Sequence, residues 1–476
     1  MPNLYEGISA RNIGRISLPD TVIALISEIE SHGFEAFLVG GCVRDAILNK
    51  DPHDFDICTS AATNDLFEIF CSCDYVQSVL PTGIKYGTVT VMVNGVGYEI
   101  TTYRVDGAYR DGRHPESVSF SGHLSDDLAR RDFTINAMAY NPSVGLVDLH
   151  GGFSDIRNGR IRCVGDPNQR FQEDALRILR AIRFASTLRF KIEDATAEAI
   201  HRNKDRLHKV SPERKRVELC KFIVGHNVQH FLIAYRDIFA IFIPELEPCF
   251  DCEQNNPWHC YDVYKHIAVA VSAAPHDVNT RLALLLHDIG KPACKTTDAN
   301  GVDHFHGHAA VSAKLALNTM DNLRFSCADS LQIETLIFHH DYYIDECDDS
   351  KMKASVRRLM AKFDEETLPK FFDVREADVR AQTSELIPAR VEKIYKAKAL
   401  VSEIKQEKPA LTVKDLKING KDLIAMGMQP GPEMGRVLAV LLDAVLGDPS
   451  LNERDILLEK ALFESRVVYK KEAALF

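Results

Sequence analysis

The chain has 476 residues, 45% of them apolar and 26% charged, with a formal net charge of −11. That length exceeds what one hydrophobic core supports, so several sub-domains are expected. Apolar runs fall far short of the roughly 20 residues of a membrane helix, no secretory pattern opens the chain, and the 12 cysteines read as reduced thiols. These features predict a cytoplasmic protein and exclude a membrane-spanning one.

The acidic balance at first argues against a nucleic-acid partner. The charge is uneven, however: Arg160 to Lys221 holds 16 Lys/Arg against 9 Asp/Glu. Such a segment is either a solvated helix face or a phosphate-binding strip, and the motifs within it must decide.

In chain order, Ala36 to Val39 is a short apolar run ending in Gly40–Gly41, a strand-to-turn signal. Phe55 to Cys58, Gly87 to Val93 and Tyr98 to Tyr103 are rich in β-branched and aromatic residues and read as further strands. From Arg170 onward the apolar spacing is mostly three and four, the helical period. Proline-containing stretches at Pro244–Pro257 and Pro430–Pro432 mark candidate junctions. The expected architecture is a small α/β head followed by helical modules.

The chemistry starts at Leu38-Val-Gly-Gly-Cys-Val-Arg-Asp45, followed by Asp54-Phe-Asp56. Two glycines after a strand let a phosphate approach the backbone, and Arg44 can clamp it with planar donors. Asp54 and Asp56, two apart, share one face of a strand. Paired hard carboxylates suit Mg²⁺, and Glu99 on a later strand is a third. Such a cluster can activate a 3′-hydroxyl and stabilise a leaving pyrophosphate.

Ala129-Arg-Arg-Asp-Phe-Thr-Ile-Asn-Ala-Met-Ala139 comes next, then Arg170-Phe-Gln-Glu-Asp-Ala-Leu-Arg-Ile-Leu-Arg-Ala-Ile-Arg-Phe184. Read as one helix, Asp174, Arg177, Arg180 and Arg183 form a polar stripe opposite an apolar face. A surface salt-bridge ladder is the plainer alternative, but a packed helix presenting arginines to a polyanion also explains the apolar face.

In this order, GGCVRD, DFDI, RRDFTINAMA and EDALRILRAIRFA resemble the class II tRNA nucleotidyltransferase and poly(A) polymerase family, closely over Phe37 to Lys221. The resemblance implies an α/β + α fold, with a polymerase-β-like nucleotidyltransferase head followed by helical neck, body, HD and tail modules. It implies Mg²⁺ on Asp54 and Asp56, with Glu99 assisting in catalysis. Gly41 and Arg44 match triphosphate-binding positions, and Arg131 and Asp132 match a motif for ribose and triphosphate contacts. Asp174, Arg177, Arg180 and Arg183 match the motif that reads the base and holds the nucleotide. An Asp/Arg pair suits cytosine and adenine, which offer an amine donor beside a ring-nitrogen acceptor. Uracil and guanine present the reverse order and leave a buried polar group unpaired, at a cost of about 1–3 kcal/mol.

Thr101 to Pro115 resembles the flexible loop of members that add a complete CCA end. The expected reaction is therefore template-independent addition of C, C and A from CTP and ATP to the 3′ acceptor end of tRNA. Alternatives are addition of AMP to RNA 3′ ends as a poly(A) polymerase, or an HD phosphohydrolase with an inert RNA-binding head.

Further along, Leu284-Leu-Leu-His-Asp-Ile-Gly-Lys-Pro292, with His266 upstream and Asp378 downstream, resembles the HD phosphohydrolase family. The match implies His266, His287, Asp288 and Asp378 as ligands of a transition metal and metal-assisted hydrolysis of a phosphoester. His306, His308, His339 and His340 are candidates for a second metal. Cys249, Cys252, His259 and Cys260 lack the second pair a structural zinc site needs. The expected modules are the head at 1–145, a neck and body for base selection and RNA binding at 146–245, the HD module at 246–385, and a tRNA-contacting tail at 386–476. The oligomeric state stays open.

Overall fold

The computed structural model describes residues 16–52, 54–107, 117–344 and 347–473, with side chains through residue 464. The chain divides into two compact units, Met1–Pro244 and Glu245–Phe476, parting at the first of the two proline-containing stretches. No helix among the described residues is long and apolar enough to cross a membrane.

In the first unit, strands β1 (Ala36–Val39), β2 (Asp56–Thr59), β3 (Ser78–Gly83), β4 (Thr88–Val93) and β5 (Val96–Thr102) are followed by a ribbon of β6 (Arg104–Asp106) and β7 (Val118–Phe120). Strands β8 (Met138–Asn141) and β9 (Gly145–Asp148) then complete the main sheet. Its order is β3-β4-β5-β2-β1-β8-β9. β2 and β5 run parallel, whereas β1 pairs antiparallel with both β2 and β8. Strand alternation buries Val89, Val91, Tyr98 and Ile100 and leaves Glu99 exposed. On the sheet's covered side Phe37, Val39, Cys58, Ala139 and Val147 pack with Tyr103, Leu124 and Leu128. The base of the site is thereby built on rigid strand ends.

The anticipated strands are present. β3, β8 and β9 were not anticipated. Of the expected flexible loop, Arg104–Asp106 is paired as β6, and residues 108–116 lie outside the described residues.

After the sheet come helices Pro167–Glu173, Leu176–Leu188, Asp194–Asn203 and Pro212–Ile223. The expectation of one continuous helix through Asp174 is corrected here. Asp174 has extended backbone (φ −144°, ψ 104°) and separates two helices. Its own carboxylate accepts from the Leu176 amide at 3.0 Å, capping the second helix in the manner that makes Asp a helix starter. Leu188 is followed by Arg189 at φ +60°, which ends that helix.

The second unit is helical. Val263–Ala273, Val278–Leu286 and Thr367–Arg380 pack together with His308–Asn322 and Cys327–His339. A separate core around Leu423, Val437, Leu441 and Leu457 holds the C-terminal helices.

Candidate active sites

The acidic cluster of the first unit follows from strand register. Ile57 pairs with Ile100 in the parallel β2–β5 ladder, so one step back sets Asp56 beside Glu99 on the same face. Val39, the last residue of β1, is the other neighbour of Asp56. Asp54 lies two residues before Asp56 and is exposed like it. The Asp56 carboxyl is held above its ordinary range by partial withdrawal from water, opposed by Arg131 and reinforced by Glu99 and Asp54. Carboxylates that raise one another's proton affinity fit a hard divalent cation.

Gly40 supplies the open flank. Its φ is +80°, and a Cβ there would meet Arg131 Nη1 at 3.2 Å and Asp56 Oδ2 at 3.7 Å. Only glycine keeps both the turn and the gap between carboxylate and guanidinium. Gly41 opens the next helix, close to Arg44 Nη2. Arg131 is steadied by buried Asp127, 2.9 Å from its Nη2.

A connected polar network adjoins this cluster. Arg44 grips Asp45 with two bonds of 2.9 Å and donates to Asn136 Oδ1 at 2.7 Å. Asn136 donates to Asp132 at 3.1 Å, and Asp132 accepts from Arg180 Nε at 2.8 Å. Burial would raise the Asp132 carboxyl, but Arg180 and Asn136 bring it down to about 2. Glu218 then takes Arg183 at 2.6 Å and lies 3.6 Å from Arg180. Beneath them the Phe184 ring lies 4.9, 5.3 and 3.9 Å from the guanidinium carbons of Arg44, Arg180 and Arg183. Phe133 meets that ring edge-on at 5.9 Å. An aromatic face attracts cations and lets three like charges gather.

The Asp174 and Arg177 side chains are each engaged by other residues. Arg214 holds Asp174 through two parallel bonds, 3.2 and 2.7 Å long. Arg177 binds Glu173 at 2.6 Å and the carbonyls of Arg170 and Arg130. Sequence reasoning missed Asn136, Glu218, Phe184 and Arg214. The signal for Arg214 and Glu218 was their helical spacing of four, which sets both on one face of Pro212–Ile223.

In the second unit, His266, His287, Asp288 and Asp378 converge and are buried. His266 Nε2 lies 3.0 Å from Asp378 and 3.4 Å from Asp288 Oδ2. His287 Nε2 lies 3.2 Å from the same Asp288 oxygen and 3.3 Å from His266 Nε2. The other oxygen, Oδ1, faces His308 at 3.3 Å and His340 at 3.7 Å. Of the four second-metal candidates, His308 and His340 join the cluster, whereas His306 is exposed and His339 packs on Phe363.

The outer nitrogens explain the orientation. His287, His308 and His340 each turn Nδ1 to the carbonyl three residues earlier, at 2.7, 2.9 and 2.6 Å. His266 turns its own to Ala381, 3.2 Å away. A carbonyl only accepts, so each Nδ1 carries hydrogen and each Nε2 points inward as a potential ligand. Neither Asp288 oxygen makes a hydrogen bond of good geometry, although Lys291 Nζ lies 2.7 Å away. Burial would raise Asp288, but His287 and Lys291 hold it far below the carboxylate range. Burial would likewise depress His287, but Asp288 and Asp378 raise it to about 9. Imidazole nitrogens and carboxylate oxygens converging in this way form a donor set that fits a transition-metal cation. A 410 Å³ cavity opens on the cluster, lined also by Trp258, Tyr343, Arg375 and Arg390.

A mixed sheet bearing neighbouring carboxylates beside an arginine network is the architecture of a nucleotidyltransferase, here joined to a buried His/Asp cluster of HD type. The sequence matches the family model for the poly A polymerase head domain over residues 36–162 and that for an RNA and SrmB-binding site of polymerase A over 189–250. It also matches the HD domain over 259–385 and tRNA nucleotidyltransferase domain 2 over 372–461. It is 33% identical to the CCA-adding enzyme of Limosilactobacillus reuteri (strain DSM 20016) over 92% of this chain and 94% of that protein. Identity to the enzyme of that name from Ligilactobacillus salivarius (strain UCC118) is 32%, over 95% and 99%. The crystal structure of the Bacillus stearothermophilus CCA-adding enzyme in complex with CTP aligns with a TM-score of 0.68 at 26% identity, covering 95% of this chain and 98% of that one. The chain belongs to the CCA-adding enzyme family of tRNA nucleotidyltransferases.

Proposed function

We propose the following division of labour for the reaction. The chain adds C, C and A to the 3′ end of tRNA from CTP and ATP, without a nucleic-acid template and with release of pyrophosphate. Asp54 and Asp56, assisted by Glu99, hold Mg²⁺. When bound, that ion activates the terminal ribose hydroxyl and neutralises charge on the departing pyrophosphate. Gly41, Arg44, Arg131 and Arg180 receive the triphosphate, with Arg183 beside them. Asp132 keeps Arg180 aimed, and the same motif borders the ribose. Asp174 and Arg177 select the base. Arg177 must exchange Glu173 and its two carbonyl partners for the nucleotide, so base binding includes a local rearrangement. The basic neck within 146–245 and the tail at 386–476 take the RNA.

The observation that carries this reading is the β2–β5 register, which sets Asp56 and Glu99 on one face beside the bare flank of Gly40. Sequencing the 3′ ends of tRNA extended by the enzyme tests the reaction. CCA ends are expected, and oligo(A) ends would identify the poly(A) alternative. For base selection, Asp174→Ala and Arg177→Ala should lose preference for C and A over U and G, and an unchanged preference would eliminate the pair as readers.

The HD centre would hold a transition metal on His266, His287, Asp288 and Asp378, with His308 and His340 as further donors on the other side of Asp288. Phosphoester hydrolysis is the chemistry such a centre supports. Elemental analysis of His287→Ala and Asp288→Ala proteins is the check: undiminished metal content would remove those residues from the ligand set.

A further inference from the structure

We propose that Arg214 is a specificity-determining residue that acts by positioning the carboxylate of Asp174, a role resting on the reading of Asp174 as base selector. A carboxylate has about four acceptor sites. Arg214 Nη1 and the Leu176 amide take two on Oδ1, and Arg214 Nη2 takes one on Oδ2. One acceptor site on Oδ2 is left over for an exocyclic amine. Two parallel bonds from a planar guanidinium also fix the plane of the carboxylate, so the direction of that site is set before a nucleotide arrives. Asp174 sits in an extended break between two helices, its backbone bonded to Arg170 and Arg177, and Arg214 fixes the direction of its side chain.

The helix supplying Arg214 makes the effect separable. Arg214 and Glu218 lie one turn apart on Pro212–Ile223, and Glu218 binds Arg183 and lies near Arg180. One helix face thus steadies the base reader at one position and the phosphate-side arginines at the next. Loss of Glu218 should weaken every nucleotide alike. Loss of Arg214 should change which nucleotide is chosen.

The test is single-nucleotide incorporation by the full chain, with KM and kcat measured separately for CTP and UTP. Arg214→Ala is expected to lower the CTP-over-UTP preference about tenfold, within the range for directly coupled neighbours. Arg214→Lys keeps the charge but not the two-point grip and should fall nearly as far. The Arg214→Ala/Asp174→Ala double variant should discriminate no worse than Asp174→Ala alone, because Arg214 acts through that carboxylate. Glu218→Gln should raise KM for both nucleotides and leave their ratio intact. An Arg214→Lys enzyme with unchanged preference, alongside an Asp174→Ala enzyme that has lost it, would overturn this role and leave base selection standing. Preference retained in Asp174→Ala would instead overturn the reading beneath it. Should Arg214→Ala fail to fold, the lysine variant carries the comparison.

Discussion

An aspartate whose neighbours are carboxylates holds its proton more tightly than an isolated one, and at Asp56 that fact becomes measurable. On the proposed assignment, proton and Mg²⁺ compete for the same oxygens. The Asp56 carboxyl is raised by partial burial and, after the opposing pull of Arg131, by Glu99 and Asp54. The Mg²⁺ concentration needed for half-maximal activity should therefore climb as pH falls, starting above the value of about 3.9 for a free aspartate. Glu99→Gln removes one like charge and should move that climb to lower pH, read from Mg²⁺ titrations at a series of pH values. A midpoint indifferent to Glu99 would separate the two carboxylates. Asp56→Asn should cost several kcal/mol of charge stabilisation, about a thousandfold in kcat, measured as incorporation of CMP. At this scale the sequence was informative about side chains carrying their own signal, such as adjacent His and Asp or glycines after a strand, whereas Asp54 precedes β2 instead of sharing a strand face with Asp56. The sequence was silent on partners. Arg44 and Asn136 are 92 positions apart, and Asp174 and Arg214 are 40 apart, and no local pattern announces that such residues meet.

Whole elements are positioned by the smallest residues in them. A Cβ on Gly290 would fall 2.7 Å from the His308 carbonyl oxygen and 2.7 Å from the Ser312 amide. The glycine therefore lets helix His308–Asn322 press against the His287–Asp288 segment, and its own amide donates to Ser312 Oγ at 2.9 Å. That contact brings His308 to Asp288. Gly290→Ala should push the helix back, costing about 1–3 kcal/mol as an overpacked site does. It should deprive the Oδ1 side of His308 while leaving His266, His287 and Asp378 in place. Metal analysis should then read less ion per chain than in the parent protein; undiminished metal content would refute a role for His308 beside Asp288. Elements were otherwise legible where a helical period was unbroken, as in the apolar face of Leu176–Leu188, or where an apolar run ended in a turn signal, as β1 does at Gly40–Gly41. The break at Asp174 escaped because the three-residue spacing of Asp174, Arg177, Arg180 and Arg183 runs straight through it. The helix starts after the aspartate because its carboxylate caps the Leu176 amide, and capping leaves no trace in a spacing pattern. Strands β8 and β9 escaped for a related reason: Met138–Asn141 is buried throughout and lacks the alternation that marks a half-exposed strand.

For the molecule as a whole, the division at Pro244 assigns the two chemistries to separate compact units. The acidic cluster, the arginine network and Arg214 all lie before it, and the buried His/Asp cluster and the C-terminal core lie after it. The net charge of −11 consequently says little about nucleic-acid binding, because Arg160–Lys221 in the first unit carries a local basic excess and repulsion elsewhere is screened beyond about 8–10 Å. Separate units predict separate responses to ligand. A ligand that binds only the folded state at a hundred times its dissociation constant adds about 2.7 kcal/mol, which for units of this size shifts the midpoint by roughly 5–10 °C. Calorimetry of the full chain should accordingly resolve two transitions. Saturating Mn²⁺ or Zn²⁺ should raise the one that His287→Ala abolishes as a metal-responsive step, because that transition belongs to 245–476. CTP with Mg²⁺ should raise the other, and Asp174→Ala should blunt that shift. A single transition moved by both ligands would mean that the nucleotide site and the metal centre unfold as one body, and metal at the HD centre would then tune nucleotide affinity through stability alone.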